Sequence, residues 1–329
     1  MQYILKGYFY TSYRDAAEVF MDWREVTVED LVECLEIEPC LWGDEMVGRK
    51  RAMEVWKTLA GSLACNSAVV EIRGSKNKKC RKIGFGFSVF VTPEFADGEL
   101  ESPRPGINNR IVASVAKGEP VVRAEASLCE GSSALDLVVM HCNYRYDAMT
   151  PEEAIHAEMM LPAAFAEAHI GYRLNRLIVE TVSERQRRVH ESSGVWRRVK
   201  DFPECERTLL MLTQAEAFAV SGSVAGPLFD YQEPVLRLRH AEKQLLAEAL
   251  KGGTDKELAG KLNLSLPTVK KRWASVFDRV AETRPELLPD GEPRESQESR
   301  GPQKRHRILA YVRAHPEEVR PFRWRMKMG

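Results

Sequence analysis

The chain has 329 residues, 44% of them hydrophobic, and its formal net charge is zero. This length allows two or three domains, and the apolar share excludes a chain that is disordered throughout. Seven cysteines without a C-x-x-C pair argue against a disulfide framework. The first residues lack a secretory signal pattern, and no apolar run approaches the length of a membrane span. We therefore expect a cytoplasmic protein with no membrane partner.

The zero net charge hides an asymmetry between the two ends of the chain. Residues 236–329 carry 21 Lys and Arg against 13 Asp and Glu, which is +8. The rest carries 27 against 35, which is −8. A basic end joined to an acidic body is typical of a nucleic-acid binder with a separate second domain.

Taken in order, the first 203 residues alternate predicted strands and helices. An amphipathic pattern predicts a helix over 47–63, and a strand at 68–72 pairs in a hairpin with the alternating strand 83–92. The Pro- and Gly-rich stretch 93–106 reads as a loop. Strands are expected at 121–126 and, as a continuous apolar run, at 135–141.

Thr150 and Glu153 have the spacing of a capping box, and Pro151 fits the first helical position. The helix should kink or restart at Pro162 and end before Gly171. A strand at 177–181, a helix at 184–191 and a last strand at 195–202 complete the body. This order predicts an α+β fold with a mixed sheet.

The order resembles the GNAT acetyltransferase superfamily over about 200 residues. The resemblance implies an acyl-CoA-dependent N-acetyltransferase whose phosphate loop, Q/R-x-x-G-x-G/A, precedes a helix. The expected place reads CNYRYDAMTPEE and has no glycine. A literal match at 81–86 leads into a strand instead. We therefore expect no cofactor, no catalytic residue and no enzymatic activity, and a body at 1–203 that senses a small ligand or mediates dimerisation.

Three residues of the body remain candidates for chemistry. His141 and Cys142 end a buried strand, where packing is the commoner role and a thiol site the alternative. Glu180 ends the next predicted strand, where an edge carboxylate in solvent is the commoner role and a general base the alternative. No pair of His or Cys has metal-ligand spacing, so no metal is expected.

After a connector at 204–235, residues 236–282 predict three helices separated by tight turns. Thr254 and Glu257 form a capping box for the second helix, and Ser265 caps the third. Apolar residues of the third helix recur at three- and four-residue steps, which leaves cations on the other face.

This stretch resembles the LuxR/GerE-type helix-turn-helix domain over about 45 residues, on the pattern KELAGKLNLSLPTVKKR. The resemblance implies a recognition helix at 266–279 that lies in the major groove. We expect Lys270 and Arg272 on phosphates, and Lys271 and Thr268 on base edges. The full set of expected DNA contacts is Thr268, Lys270, Lys271, Arg272, Ser265 and Ser275.

Together these observations predict a transcriptional regulator that binds double-stranded DNA as a homodimer, with RNA polymerase and a small-molecule ligand open as further partners. Three alternatives remain. One is an N-acetyltransferase with an appended DNA-binding domain. The second is a sigma-like factor, and the third is a three-helix bundle with solvated lysines. Residues 283–329 read as a flexible linker with a basic tail.

Overall fold

In the computed structural model, the chain forms two compact units. The first comprises residues 1–169 and 173–229, and the second comprises 230–329 with 170–172. The structure describes residues 12–14, 20–42, 47–73, 80–130, 133–223, 225–288 and 297–322. It describes the backbone but not the side chains of 12–14, 20, 41 and 297–302. The basic tail at 323–329 lies outside the described residues.

Over its described residues, the first unit is an α+β fold built on one mixed sheet of eight strands. The strands are β1 Ser12–Arg14, β2 Phe20–Arg24, β3 Cys65–Arg73, β4 Arg81–Val91, β5 Leu135–Tyr144, β6 Leu174–Thr181, β7 Arg197–Phe202 and β8 Arg207–Thr213. The helices are α1 Leu31–Leu35, α2 Arg49–Gly61, α3 Pro93–Glu101, α4 Ile107–Lys117, α5 Glu125–Glu130, α6 Pro151–His169, α7 Glu184–Ser192, α8 Gln214–Ala219 and α9 Gly226–Phe229.

The strands lie in the order β1-β2-β3-β4-β5-β6-β8-β7. β5 and β6 are parallel and are connected through α6, whereas the other neighbours are antiparallel. The predicted α+β class with a mixed sheet is therefore confirmed.

Each face of the sheet is covered by helices. On one face, Trp56 of α2 and Ile111 of α4 are buried in a core with Phe85 of β4. On the other face, Met160 of α6 is buried beside Val70 of β3. Strand side chains alternate between these two cores, which places successive residues of a strand on opposite faces.

Three predicted elements differ from the structure. Part of the expected loop at 93–106 is helix α3, which begins after Thr92 because the Thr92 hydroxyl accepts a hydrogen bond from the Phe95 amide at 3.4 Å. The expected strand at 121–126 forms only one bridge, between Val122 and Val91, before α5 begins. α6 is assigned as one helix through Pro162, so a restart does not occur there.

The segment 204–235, expected as a connector, contains strand β8. Its buried residues Leu209 to Leu212 place it between β6 and β7, and it pairs with both. The run reads as continuous apolar sequence because both faces of this strand are covered.

The second unit is helical over its described residues. Its helices are α10 His240–Leu250, α11 Asp255–Lys261, α12 Leu266–Thr283 and α13 Gln297–Ala314. Leu245, Leu258 and Trp273 pack in its core. Within the stretch expected as a flexible linker, α13 supplies Ile308 and Val312 to that core.

Within the described part of the chain, none of the helices has both the length and the apolar content that a membrane crossing requires. All seven cysteines are free thiols.

Candidate active site

The sheet of the first unit divides between its two parallel strands, β5 and β6. We call the place after Val139 and Val179, where the two strands no longer pair, the division. β5 and β6 pair from Leu135 and Leu174 to Val139 and Val179, and no pair follows. β5 continues to Tyr144 along its other neighbour, β4. The final part of β5 therefore has one paired edge and one edge that β6 does not cover.

A β-bulge in β4–β5 lies at the same point. Phe87 pairs with His141 and Ser88 with Val139, so Met140 has no partner residue in β4. A bulge adds one residue to one strand and changes which way its neighbours point. Met140 packs in the core beneath α2, and the ring of His141 lies 4.8 Å from that of Phe85 in the same core. Two successive side chains thus face the same side of the sheet.

Side-chain amides bind the carbonyl groups on the uncovered edge. Asn108 of α4, which is 1% exposed, donates through Nδ2 to the carbonyl of Met140 at 2.8 Å. Gln186 of α7 donates through Nε2 to the carbonyl of Cys142 at 3.3 Å. Because a buried carbonyl without a partner is costly, these two amides replace the pairing that β6 provides further back.

The carboxylate of Glu180 binds the N-terminus of α4. Its carboxylate accepts hydrogen bonds from the amides of Gly106, at 2.9 and 2.8 Å, and Ile107, at 3.0 Å. Arg207 donates to it at 2.6 Å. A carboxylate at a helix N-terminus satisfies free N–H groups and interacts favourably with the helix dipole. The interpretation of Glu180 as a solvent-exposed carboxylate is wrong, since the side chain is fully buried.

The imidazole of His141 is neutral because it is buried beside the rings of Trp56 and Phe85. Its ring makes an edge contact with Trp56, with 5.5 Å between centroids, and burial lowers its pKa to about 3. Asn143 Nδ2 lies 3.5 Å from His141 Nδ1, and His141 Nε2 has no hydrogen-bond partner among the described atoms. A histidine in this state contributes polarity but no charge at neutral pH.

On the α6 face, the same part of β5 carries a thiol and a phenol, those of Cys142 and Tyr144, and a second phenol, Tyr146, follows the strand. Burial raises the pKa of Cys142 to about 11 and raises that of Tyr144 well above its ordinary value. Tyr146 donates to Glu158 at 2.8 Å, and the Arg185 guanidinium stacks 3.7 Å above the Tyr146 ring. The thiol and both phenols therefore stay protonated at neutral pH, so they can donate hydrogen bonds or protons there.

The N-terminus of α6, where the GNAT resemblance implies a phosphate site, does not fit one. The Thr150 hydroxyl accepts from the amide of Glu153 at 3.2 Å, and the Glu153 carboxylate accepts from the amide of Thr150 at 2.8 Å. Glu152 adds a second acid in the first turn. Arg81 binds both Glu153 and the carbonyl of Ala148. Capped amides and two carboxylates disfavour a pyrophosphate.

In the second unit, four of the six expected DNA contacts take part in internal hydrogen bonds around α12, and three of these four are hydroxyl residues. Ser265 caps the helix by accepting from the amide of Thr268 at 3.3 Å, and the two hydroxyls are 2.8 Å apart. Ser275 donates to the buried carboxylate of Glu242 at 2.6 Å. These bonds account for Ser265, Thr268 and Ser275 as residues that hold the helix in place.

The cations expected to bind DNA divide into two groups. Arg272 is half-buried and lies 3.4 Å from both the carbonyl of Ala241 and Oε1 of Gln244. Lys270 and Lys271 are exposed. No finding tests the assignment of these residues as DNA contacts, and it stays a prediction, as does the homodimer.

The solved structures that are similar to this chain include two acyl-transferring enzymes. One is FeeM, an N-acyl amino acid synthase from uncultured soil microbes, with 10% identity and a TM-score of 0.35 over 61% of this chain and 94% of that one. The other is an acetyltransferase from Streptococcus agalactiae, with 12% identity and a TM-score of 0.29 over 59% of this chain and 98% of that one. No family model matches the sequence, and no curated protein does.

These comparisons contradict the prediction of a DNA-binding transcriptional regulator without enzymatic activity, and that prediction is wrong. Both are described as acyl-transferring enzymes, and neither is described as a DNA-binding regulator. The error has a physical reason, because caps and an apolar stripe specify packed helices whatever the helices bind. With TM-scores below 0.5, neither likeness indicates a reaction or a substrate for this chain.

Most residues of the candidate site carried little signal in the sequence. Asn108 and Gln186 are single amides in helices, and a sequence offers no means of pairing them with carbonyls on β5. Gln186 did have a partial signal, since it stands three residues after Ser183 in the spacing of a capping box. His141 and Cys142 are predicted from the sequence to end an apolar strand, with packing as the commoner role and a thiol site as the alternative.

Proposed function

We propose that the first unit is an acyltransferase that moves an acyl group from a thioester to an amine, with the donor bound along the uncovered edge of β5. The observation that supports this most is the separation of β5 and β6 after Val139 and Val179. It leaves a strand edge inside the sheet where an extended ligand can pair with backbone groups, as a peptide does when it extends a sheet.

The arm of a pantetheine thioester suits this edge. It is extended and carries two amides, and thioesters of this kind are common carriers of acyl groups. The carbonyl group of Cys142 is the acceptor that one such amide needs, and the side-chain amide of Gln186 already binds it.

The chemistry needs a proton for the leaving group. The amine nitrogen attacks the thioester carbonyl, a C–N bond forms, the C–S bond breaks, and the proton lost by the amine is balanced by one gained by the thiolate. Tyr144 is the candidate donor of that proton, because it lies at the end of the uncovered edge and a tyrosine hydroxyl is protonated at neutral pH. Cys142 is a poor nucleophile in its buried, protonated form, which favours direct attack by the amine.

The closed N-terminus of α6 limits the donor. Because Thr150 and Glu153 cap it and the nearby acids repel phosphate, a CoA pyrophosphate should add little to binding. We therefore infer that recognition rests on the thioester arm rather than on the nucleotide.

The test is thiol release from two donors that share one acyl group, S-acyl-pantetheine and the matching acyl-CoA, with a panel of amino acids and polyamines as acceptors. We expect amine-dependent release from both donors, with kcat/KM values within about threefold of each other. N-acyl product identified by mass spectrometry should match the thiol released. Release no faster than with heat-denatured protein, for every acyl length tried, would refute the proposal.

A further inference from the structure

Gln186 joins the two strands at the point where they separate. Its Oε1 accepts a hydrogen bond from the amide of Val182, directly after β6, at 2.8 Å. Its Nε2 donates to the carbonyl of Cys142 on β5 at 3.3 Å. One side chain therefore spans the division and makes the two bonds that a neighbouring peptide unit would make.

Asn108 makes a similar bond two residues earlier on β5, but it is held differently. Its bond to the carbonyl of Met140 is 2.8 Å long, and the residue is 1% exposed beneath the sheet. Its helix is also fixed at its start, because Glu180 binds the amides of Gly106 and Ile107. Displacing Asn108 would disturb all of these groups.

Gln186 has a weaker hold on its carbonyl. Its donor bond is longer than that of Asn108, and the side chain is half-buried at the outer end of the division. Of the residues three and four positions on, which share this face of α7, Val189 is exposed and His190 is half-buried. A side chain with three rotatable bonds in this position can turn outward without unfolding the helix.

We propose that Gln186 is a displaceable gate of the donor site. Its amide occupies the place on β5 where an amide of the thioester arm binds, and it must turn away for the donor to enter, while Asn108 stays. This inference rests on the proposed acyltransferase function and assigns a residue that controls donor entry. A ligand that has to displace an internal hydrogen bond binds more weakly by the energy of that bond.

The decisive variant is Gln186→Met, which keeps the length of the side chain and removes both polar ends. If Gln186 competes with the donor, the KM for S-acyl-pantetheine should fall by about three- to tenfold with kcat within about twofold. If Gln186 instead contacts the bound donor, KM should rise. Either a rise or an unchanged KM would overturn the gate.

Glu184→Gln is the matched control on the same helix. It breaks the exposed ion pairs with Arg187 and Arg188 and leaves both bonds of Gln186 in place. We expect no change in KM from this variant. A fall in KM equal to that of Gln186→Met would show a general loosening of α7 and would contradict a specific role.

A second measurement does not depend on turnover. The amide of Val182 is protected by Gln186, so hydrogen exchange at Val182 should become faster when the wild-type protein is saturated with pantetheine. Unchanged protection with pantetheine bound, or no binding of pantetheine at millimolar concentration, would overturn the gate. If the wild type turns over thioesters and Gln186→Met has the same KM, the proposal that Gln186 is a gate is wrong, whereas the proposal of an acyltransferase is supported.

Discussion

The two halves of β5 hold their outer edge in different ways. From Leu135 to Val139, the edge is covered by β6, backbone to backbone. Beyond Val139, the carbonyls of Met140 and Cys142 are bound by side-chain amides from two helices. Backbone pairing fixes a strand because each bond is part of a cooperative ladder, whereas a side-chain amide can leave by changing its rotamer.

The difference shows where a ligand can pair with β5 without separating it from β6. A ligand that paired with the first half would have to separate β5 from β6, which are connected through α6. A ligand that pairs with the second half has to displace one glutamine. The fold therefore keeps its stability and its candidate binding edge on neighbouring parts of one strand.

The largest effect should come from the carboxylate that fixes α4 at the division. Glu180→Gln removes the charge that pairs with Arg207 and weakens the bonds from Gly106 and Ile107. Breaking a buried ion pair at one partner costs about 3–5 kcal/mol. We expect a loss of this size in the free energy of unfolding, measured with urea.

Glu204 provides the control for that measurement. It is exposed, so Glu204→Gln should change the free energy of unfolding by less than about 0.5 kcal/mol. A loss for Glu180→Gln no larger than the control's would show that the start of α4 does not depend on this carboxylate.

A smaller loss is expected from the first of the two amides. Asn108→Leu leaves the buried carbonyl of Met140 without its donor, which costs about 1–3 kcal/mol. The same unfolding experiment on Gln186→Met should give a smaller loss, because the carbonyl of Cys142 is nearer the outer end of the division. Equal losses would remove the distinction between a fixed amide and a displaceable one.

How much of this could be predicted from the sequence depends on the range of each interaction. The caps at Thr254 and Ser265 act over three residues, and the structure forms both as the sequence predicts. The alternation in β4 and the apolar run of β5 likewise predict strands. These signals were sufficient for an α+β body with a mixed sheet.

The division itself could not be predicted, because it is made by residues distant in sequence. Asn108 reaches a carbonyl 32 residues away and Gln186 one 44 residues away. Glu180 binds amides 74 and 73 residues earlier. A polar residue in a predicted helix or strand has many available partners, and only the folded chain selects one. The prediction of a DNA-binding regulator is wrong for a related reason, since the clearest local pattern, the caps and apolar stripe of residues 236–282, lies in the second unit.

The smallest effect concerns His141 and depends on pH. Its pKa is lowered to about 3 by burial, whereas an unfolded histidine titrates near 6.5. Between these values the unfolded chain binds the additional proton, so this contribution to stability is complete above pH 6.5 and falls as the pH drops. From pH 7.5 to 5.5 the loss should be about 1.4 kcal/mol. His141→Phe, which places a ring beside Trp56 and Phe85, should remove that part of the pH dependence from urea unfolding, and His306→Gln, at an exposed histidine, should not. If wild type and His141→Phe lose equal stability over this range, the buried ring does not stay neutral, and its surroundings are more open than the contacts with Trp56 and Phe85 indicate.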